Sequence, residues 1–252
     1  PPDCTQAETV VRTWTAIDAD GNAANCQQNI DLVLEIGWQG DSTGDFDDPT
    51  NWEGGTIPGA ATHVVIVTLG SLTITLTNPA TLASLTIGGP AAAREEIVHT
   101  LIVADDLVLL EDSLIDETGV LVIRNGANVR TEGTLIVRGQ IVIENGSLTC
   151  LDTTIIDGIL NWSNGMIDGG GPIVLNGEAN LQDDFEKVLS GPLFELDGIA
   201  NWTDGDVTLD AGAVIHIGTQ GILFVTADGK TMFAGSEGIG RSFVGSLNNE
   251  GA

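Results

Sequence analysis

Tyrosine is absent from this chain, methionine occurs twice, cysteine three times, and only eight residues are lysine or arginine. Each shortage excludes something. With 36 acidic residues against those eight bases the net charge is −28. A field of that sign repels nucleic acid and anionic lipid, so binding to DNA, RNA or a membrane surface is not expected. No apolar run approaches the roughly 20 residues that span a bilayer, which argues against membrane insertion. Pro1-Pro2-Asp3-Cys4 has neither the basic nor the apolar region of a signal peptide, so an export signal, if the protein is secreted, is expected upstream. No CxxC pair or Cys/His cluster suggests zinc, and His63, His99 and His216 are scattered. Nucleophile elbow, Walker loop and dinucleotide fingerprint are all missing.

What is present points to strands around a substantial core. High net charge often accompanies disorder, but 42 % hydrophobic residues and a mean hydropathy of +0.19 do not fit a disordered chain. Glycine is abundant at 33 residues, and short apolar runs such as Val64-Val65-Ile66-Val67, Leu107-Val108-Leu109-Leu110 and Val120-Leu121-Val122-Ile123 are bounded by Gly, Asn and Asp. This is strand-and-turn punctuation. Only Leu181 to Leu189 reads as helical.

Three zones follow. In residues 1–33, Val10–Ile17 alternates, Asp18-Ala19-Asp20-Gly21-Asn22 turns, and Cys26–Leu32 returns, which predicts a hairpin. A lone hairpin is not stable in water, so the zone reads as the closing strands of a larger domain. Residues 34–62 are rich in turn residues and hold Trp38 and Trp52, as expected of an ordered linker and cap over an open solenoid end. From 63 to 252 short apolar strands recur every 6 to 13 residues, among them Leu72–Leu76, Ser84–Ile87, Thr100–Val103, Thr134–Val137, Ile141–Ile143 and Pro172–Leu175. Gly158-Ile159-Leu160-Asn161-Trp162-Ser163-Asn164-Gly165 matches Gly198-Ile199-Ala200-Asn201-Trp202-Thr203-Asp204-Gly205 at an offset of 40 residues, about two coils of a repeat. The predicted fold is all-β: a parallel β-helix (β-solenoid) preceded by the closing strands of an immunoglobulin-like β-sandwich. A multi-stranded sandwich is the competing architecture. Ser246–Ala252 reads as the start of another coil, so continuation is expected.

Two resemblances bear on function. Arg12-Thr13-Trp14-Thr15-Ala16, Asp18, Gly21-Asn22, Cys26, Gln28 and Ile30 resemble the end of the immunoglobulin-like, hyalin-repeat-type modules of giant bacterial surface proteins, gliding-type adhesins included. That match covers about an eighth of the chain, and the family often has Cys where this sequence has Asp20. Asn51-Trp52, Gly54-Gly55, Pro58-Gly59-Ala60, Val64-Val65-Ile66 and Thr81–Gly89 resemble the opening of β-helical surface proteins of the filamentous-haemagglutinin and autotransporter kind. Together they imply export to the bacterial cell surface and an adhesive or structural role, with an anchor downstream.

Candidate sites each carry two readings. Asp41, Asp45, Asp47 and Asp48 form an acidic loop that could supply oxygens to calcium, or could simply cap turns. Asp18–Asn22 reads as a hairpin turn, since it lacks the Glu of an EF-hand. Cys4 and Cys26 would close a loop of just over 20 residues with a disulfide contributing about 3 kcal/mol, or remain separate thiols. Cys150 reads as a core residue. Asn145, Asn161 and Asn201 open N-x-S/T sequons, candidates for glycosylation. Trp162 and Trp202 are expected to stack between coils with the Asn turning the chain; facing outward, they would offer a carbohydrate platform.

An enzyme must also be weighed, because β-helices include polysaccharide lyases and hydrolases. Such chemistry needs carboxylates and a base aligned on neighbouring coils. The only bases beyond residue 62 are Arg94, Arg124, Arg130, Arg138, Lys187, Lys230 and Arg241, of which Arg124, Arg130 and Arg138 could converge. The leading expectation is instead an extracellular adhesin or fibre segment. Its expected partners are a surface glycan or neighbouring subunits, homo-oligomers included.

Overall fold

The computed structural model describes residues 9–31, 35–91, 97–226, 232–234, 242–243 and 246–249. The chain is all-β, and most of it winds into a β-solenoid of about eight turns. Thr9–Ile17 and Ala23–Asp31 pair antiparallel as a separate two-stranded sheet. Their turn is built by Asp18, whose carboxylate accepts from the Asp20 and Asn22 backbone N–H groups (3.0 and 2.8 Å) and from Asn22 Nδ2 (2.9 Å). Gly21 there has φ 86°, open to glycine at no steric cost.

Each coil contributes up to three strands, and like strands stack in parallel into three faces. The first face runs through Thr43–Asp45, Leu72–Leu76, His99–Val103, Gly119–Arg124, the starts of Gln140–Cys150 and Ile159–Asp168, then Glu178–Leu181, Ile199–Trp202, Ile222–Val225 and Ser246–Asn249. The second runs from Ala80–Leu82 through Leu107–Leu109 and Asn128–Thr131 to Lys187–Ser190, Val207–Asp210 and Met232–Ala234. Gln140–Cys150 and Ile159–Asp168 continue round the corner between these faces, with a register shift at Glu144 where Asn145 turns at φ 66°. The third face is a ten-stranded sheet from Glu35–Gly37 to Ser242–Phe243. Register partners on the first face pass from Leu101 to Leu121, Ile141, Leu160, Ala179 and Ala200, in steps of 19 to 21 residues.

Alternation decides what goes inside. Along Leu72–Leu76 residues 72, 74 and 76 are buried and the threonines between them half-exposed, and the same beat holds through Gly119–Arg124. Ile74, Leu101, Leu121, Ile141 and Leu160 thereby form one unbroken aliphatic column. Neighbouring columns compensate for volume. Where Trp162 and Trp202 enter the core, alanines 179 and 200 replace the leucines and isoleucines of the adjacent column. The two tryptophans do not touch as a direct stack: Leu181 lies in register between them.

The cap joins the solenoid rather than merely covering it. Glu35–Gly37 pairs with His63–Ile66, and Thr43–Asp45 with Leu72–Leu76, so residues expected as linker supply the first partial coil. Trp38 and Phe46 meet Trp52 edge-on, with centroids at 5.0 and 4.8 Å. Trp52 Nε1 donates to the Phe46 carbonyl (2.7 Å) and Trp38 Nε1 to that of Asp41 (3.1 Å). A Cβ on Gly44 would fall against the Trp38 ring, which explains glycine there.

The helix expected over Leu181–Leu189 is not formed. Leu181 ends one strand, Asp183 turns at φ 64°, and Lys187 begins the next strand. Lys187 points into the core, where its Nζ donates to the carbonyls of Asp183, Phe185 and Asp204 at 3.1, 3.0 and 3.3 Å. A cation capping three carbonyls outweighs weak helix propensity, because that arrangement satisfies buried backbone groups.

Candidate functional surface

The acidic loop is spent on turns. Asp45 Oδ1 accepts from the Asp47 backbone (3.0 Å), and Asp48 Oδ1 accepts from the Thr50 backbone and hydroxyl (2.9 and 2.7 Å). Asp47 Oδ2 reaches across to the next coil, accepting from the Thr77 hydroxyl (3.2 Å), the Asn78 backbone (3.1 Å) and Asn78 Nδ2 (2.9 Å). Asp41 contributes its carbonyl to Trp38. Hydrogen bonds from the Thr50 side chain and then its backbone hold the Asp48 carboxyl below the ordinary value of 3.8. Among the described residues no group of three or more His, Cys, Asp or Glu is placed to hold a metal ion.

The sequons divide. Asn145 is exposed at a corner. Asn161 and Asn201 do not turn the chain; they sit within strands on the outer row of the first face. There they form a ladder: Asn180 Nδ2 donates to Asn161 Oδ1 (3.1 Å), and Asn201 Nδ2 donates to Asn180 Oδ1 (3.0 Å) and Glu178 Oε1 (2.9 Å). Trp162 and Trp202 are 3 % and 5 % exposed, so neither is an outward platform.

The three arginines share one coil but lie on different sides of it. Arg124 ends a strand of the first face, Arg130 lies on the second, and Arg138 follows the third. Arg130 pairs with Glu132 (3.0 Å) and Arg138 with Asp116 (3.5 Å). Arg94, Lys230 and Arg241 fall outside the described residues, as does Cys4. Cys26 is an exposed thiol and Cys150 a buried one. Burial, above all, pushes the Cys150 thiol up to about 11; Asp168 adds to this and a hydrogen bond from Thr154 opposes it.

Two features escaped the sequence reading. One is Lys187. The other is the corner before the first face, where Gly139, Gly158, Gly177 and Gly198 stack: a Cβ on any of the last three would fall on the carbonyl oxygen of the glycine one coil earlier. Its signal is an acid or amide before each of the last three glycines, Asp157-Gly158, Asn176-Gly177 and Asp197-Gly198, recurring at coil length. Asn176 Nδ2 bridges to Asp157 Oδ1 (2.8 Å) along this corner.

Charge is distributed by the same geometry. Asp112, Asp116, Glu132, Arg138, Asp152, Asp157 and Asp197 lie between strands, at or near corners, whereas on the first face Arg124 and Glu144 are in register at the edge and the other outer rows are almost uncharged. One row passes Ile102, Val122 and Val142 to the Asn ladder; the other includes Val120, Gln140, Ile159, Glu178 and Ile199.

Searches against family models, curated proteins and solved structures return no match.

Proposed function

We propose that this chain is a rod segment of a bacterial cell-surface protein, acting as an adhesin or structural fibre through many weak contacts along its faces. The observation that carries this reading is the repetition of the exterior. Coil after coil presents outward ladders of Thr, Val, Ile and Asn, with acids set at the corners. Equivalent contacts repeated along a rod add through effective concentration, so no single coil need bind tightly. The surplus of negative charge keeps such a rod soluble. The hairpin over residues 9–31 supports placing the rod after an immunoglobulin-like module, in line with the Arg12–Ile30 resemblance.

A filament or sheath subunit is the second reading, favoured by the exposed apolar side chains of the first face, Ile159 and Ile199 among them. A polysaccharide lyase or hydrolase is the third. It gains little from Arg124, Arg130 and Arg138, since they are held apart on three sides of a coil.

Immunogold labelling of intact producing cells, with an antibody raised against this chain, tests the proposal. Label on the surface or on filaments is expected. Absence of label, with the protein free in the medium and cleaving polysaccharide, would overturn it.

A further inference from the structure

Asparagine is followed by glycine at four places: Asn125-Gly126, Asn145-Gly146, Asn164-Gly165 and Asn176-Gly177. Such a pair can modify itself, because the glycine amide nitrogen, unhindered by a Cβ, can attack the asparagine side-chain carbonyl carbon. The first three pairs lie on successive coils at the corner between the first and second faces, and the fourth lies at the glycine corner. The fold aims their glycine N–H groups differently. Gly126 N–H donates to the Asn145 carbonyl at 2.6 Å and Gly177 N–H to the Ile156 carbonyl at 3.0 Å, each on a neighbouring coil. Gly146 is held inside Gln140–Cys150, in register with Gly165. Gly165 N–H instead donates to Oδ1 of the preceding Asn164 at 2.7 Å, which sets the attacked carbon one bond beyond that oxygen. Asp204-Gly205, 40 residues further on, repeats the contact at 2.8 Å. Glycine at 165 is required by the fold, since its φ is 101° and a Cβ would fall on the Gly146 carbonyl oxygen.

We propose that Asn164 is a site of slow self-deamidation, selected by this turn and not by the Asn-Gly sequence alone. Solvent base takes the Gly165 amide proton, and the nitrogen forms a bond to Asn164 Cγ. The Cγ–Nδ2 bond breaks, and ammonia leaves with a proton taken from water, closing a succinimide ring. Water then opens the ring at either carbonyl, giving aspartate or isoaspartate. The sum is asparagine plus water to acid plus ammonia, with no change of oxidation state. Proximity makes the ring closure effectively unimolecular at Asn164. At Asn125 and Asn176 the nitrogen must first be released by local opening of the coil. Aspartate at 164 reproduces the side chain already present at 204. Isoaspartate lengthens the backbone by one carbon beside Gly165, which is in register with both Gly146 and Lys187, and so loosens this corner. Either product adds a carboxylate in register with Glu144.

Peptide mapping of the full chain during incubation at pH 8, native and in denaturant, tests it, with fragmentation that separates aspartate from isoaspartate. Dividing each site's native rate by its rate in denaturant removes the effect of flanking sequence. The ratio at Asn164 is expected to exceed those at Asn125 and Asn176 by about tenfold or more. Asn164→Gln, whose longer side chain would have to close a larger ring, should abolish conversion at 164 and leave the ratios at Asn125 and Asn176 unchanged. Equal ratios at the three sites would overturn the proposal, as would a native chain in which Asn125 or Asn176 converts ahead of Asn164.

Discussion

At the scale of single residues, burial and hydrogen bonding separate groups that look alike in sequence. Cys26 and Cys150 are both thiols, yet the first is exposed and the second sits in the core with its ionisation pushed up to about 11. Only thiolate reacts with alkylating agents. Iodoacetamide at pH 8 on the reduced native protein is therefore expected to modify Cys26 and spare Cys150, as read by peptide mass spectrometry. Labelling of Cys150 at the rate seen in denaturant would contradict its placement. Trp162 and Trp202 occupy matching positions two coils apart, but only Trp202 has a partner for its indole N–H, the Gly205 carbonyl at 2.7 Å. Trp162 Nε1 is buried without one. Trp202→Phe is thus expected to cost about 1–2 kcal/mol more than Trp162→Phe in chemical denaturation, because it orphans a carbonyl while the other removes an unsatisfied donor. Equal losses would mean that the two indoles have equivalent surroundings.

At the scale of elements, corners matter as much as strands. Gly158 must lack a Cβ because the Gly139 carbonyl occupies its place, whereas Gly170 has open space around it. Gly158→Ala should lower stability by about 1–3 kcal/mol through overpacking of rigid backbone. Gly170→Ala should leave the melting temperature within a degree or so, and similar effects from both would refute the stacked corner. The cap behaves as a network of turns. Asp48 favours its ionised form in the folded state, so its contribution is complete above the ordinary value of 3.8 and is lost as the pH falls through the lowered one. Asp48→Ala should accordingly lower the melting temperature at pH 7 and do little near pH 2. With the Asp45, Asp47 and Asp48 carboxylates engaged by N–H and O–H donors, EDTA is expected to leave the pH 7 value unchanged. A clear rise on adding calcium would instead assign the loop to the ion.

The strands were legible because alternation is local: Leu72–Leu76 and Ser84–Ile87 form as their patterns predict. The coil was legible through Asn-Trp at positions 161–162 and 201–202, which occupy the same register place two coils apart, with Leu181 between the tryptophans. The region around Lys187 was not. Leu181–Leu189 has the polarity of a short exposed helix, and what overrides it includes the carbonyl of Asp204, 17 residues away on the next coil. The glycine corner was overlooked because its requirement arises between coils, not within one.

For the whole molecule, the central claim is that coils are near-equivalent units, each buried only against its neighbours. Register makes this testable, because Gln140 and Ile159 occupy the same place one coil apart. Deleting residues 140–158 joins Gly139 to Ile159 without disturbing the inward beat, and removes one turn of the rod. Deleting only 140–149 leaves half a turn and sends side chains to the wrong faces. The decisive measurement is far-UV circular dichroism with thermal unfolding of both deletions beside the intact chain. The account predicts that the whole-coil deletion keeps a β-sheet spectrum and a cooperative transition at slightly lower temperature, while the half-coil deletion loses both. Equal damage from the two would contradict the solenoid of interchangeable coils and, with it, a function spread along the rod.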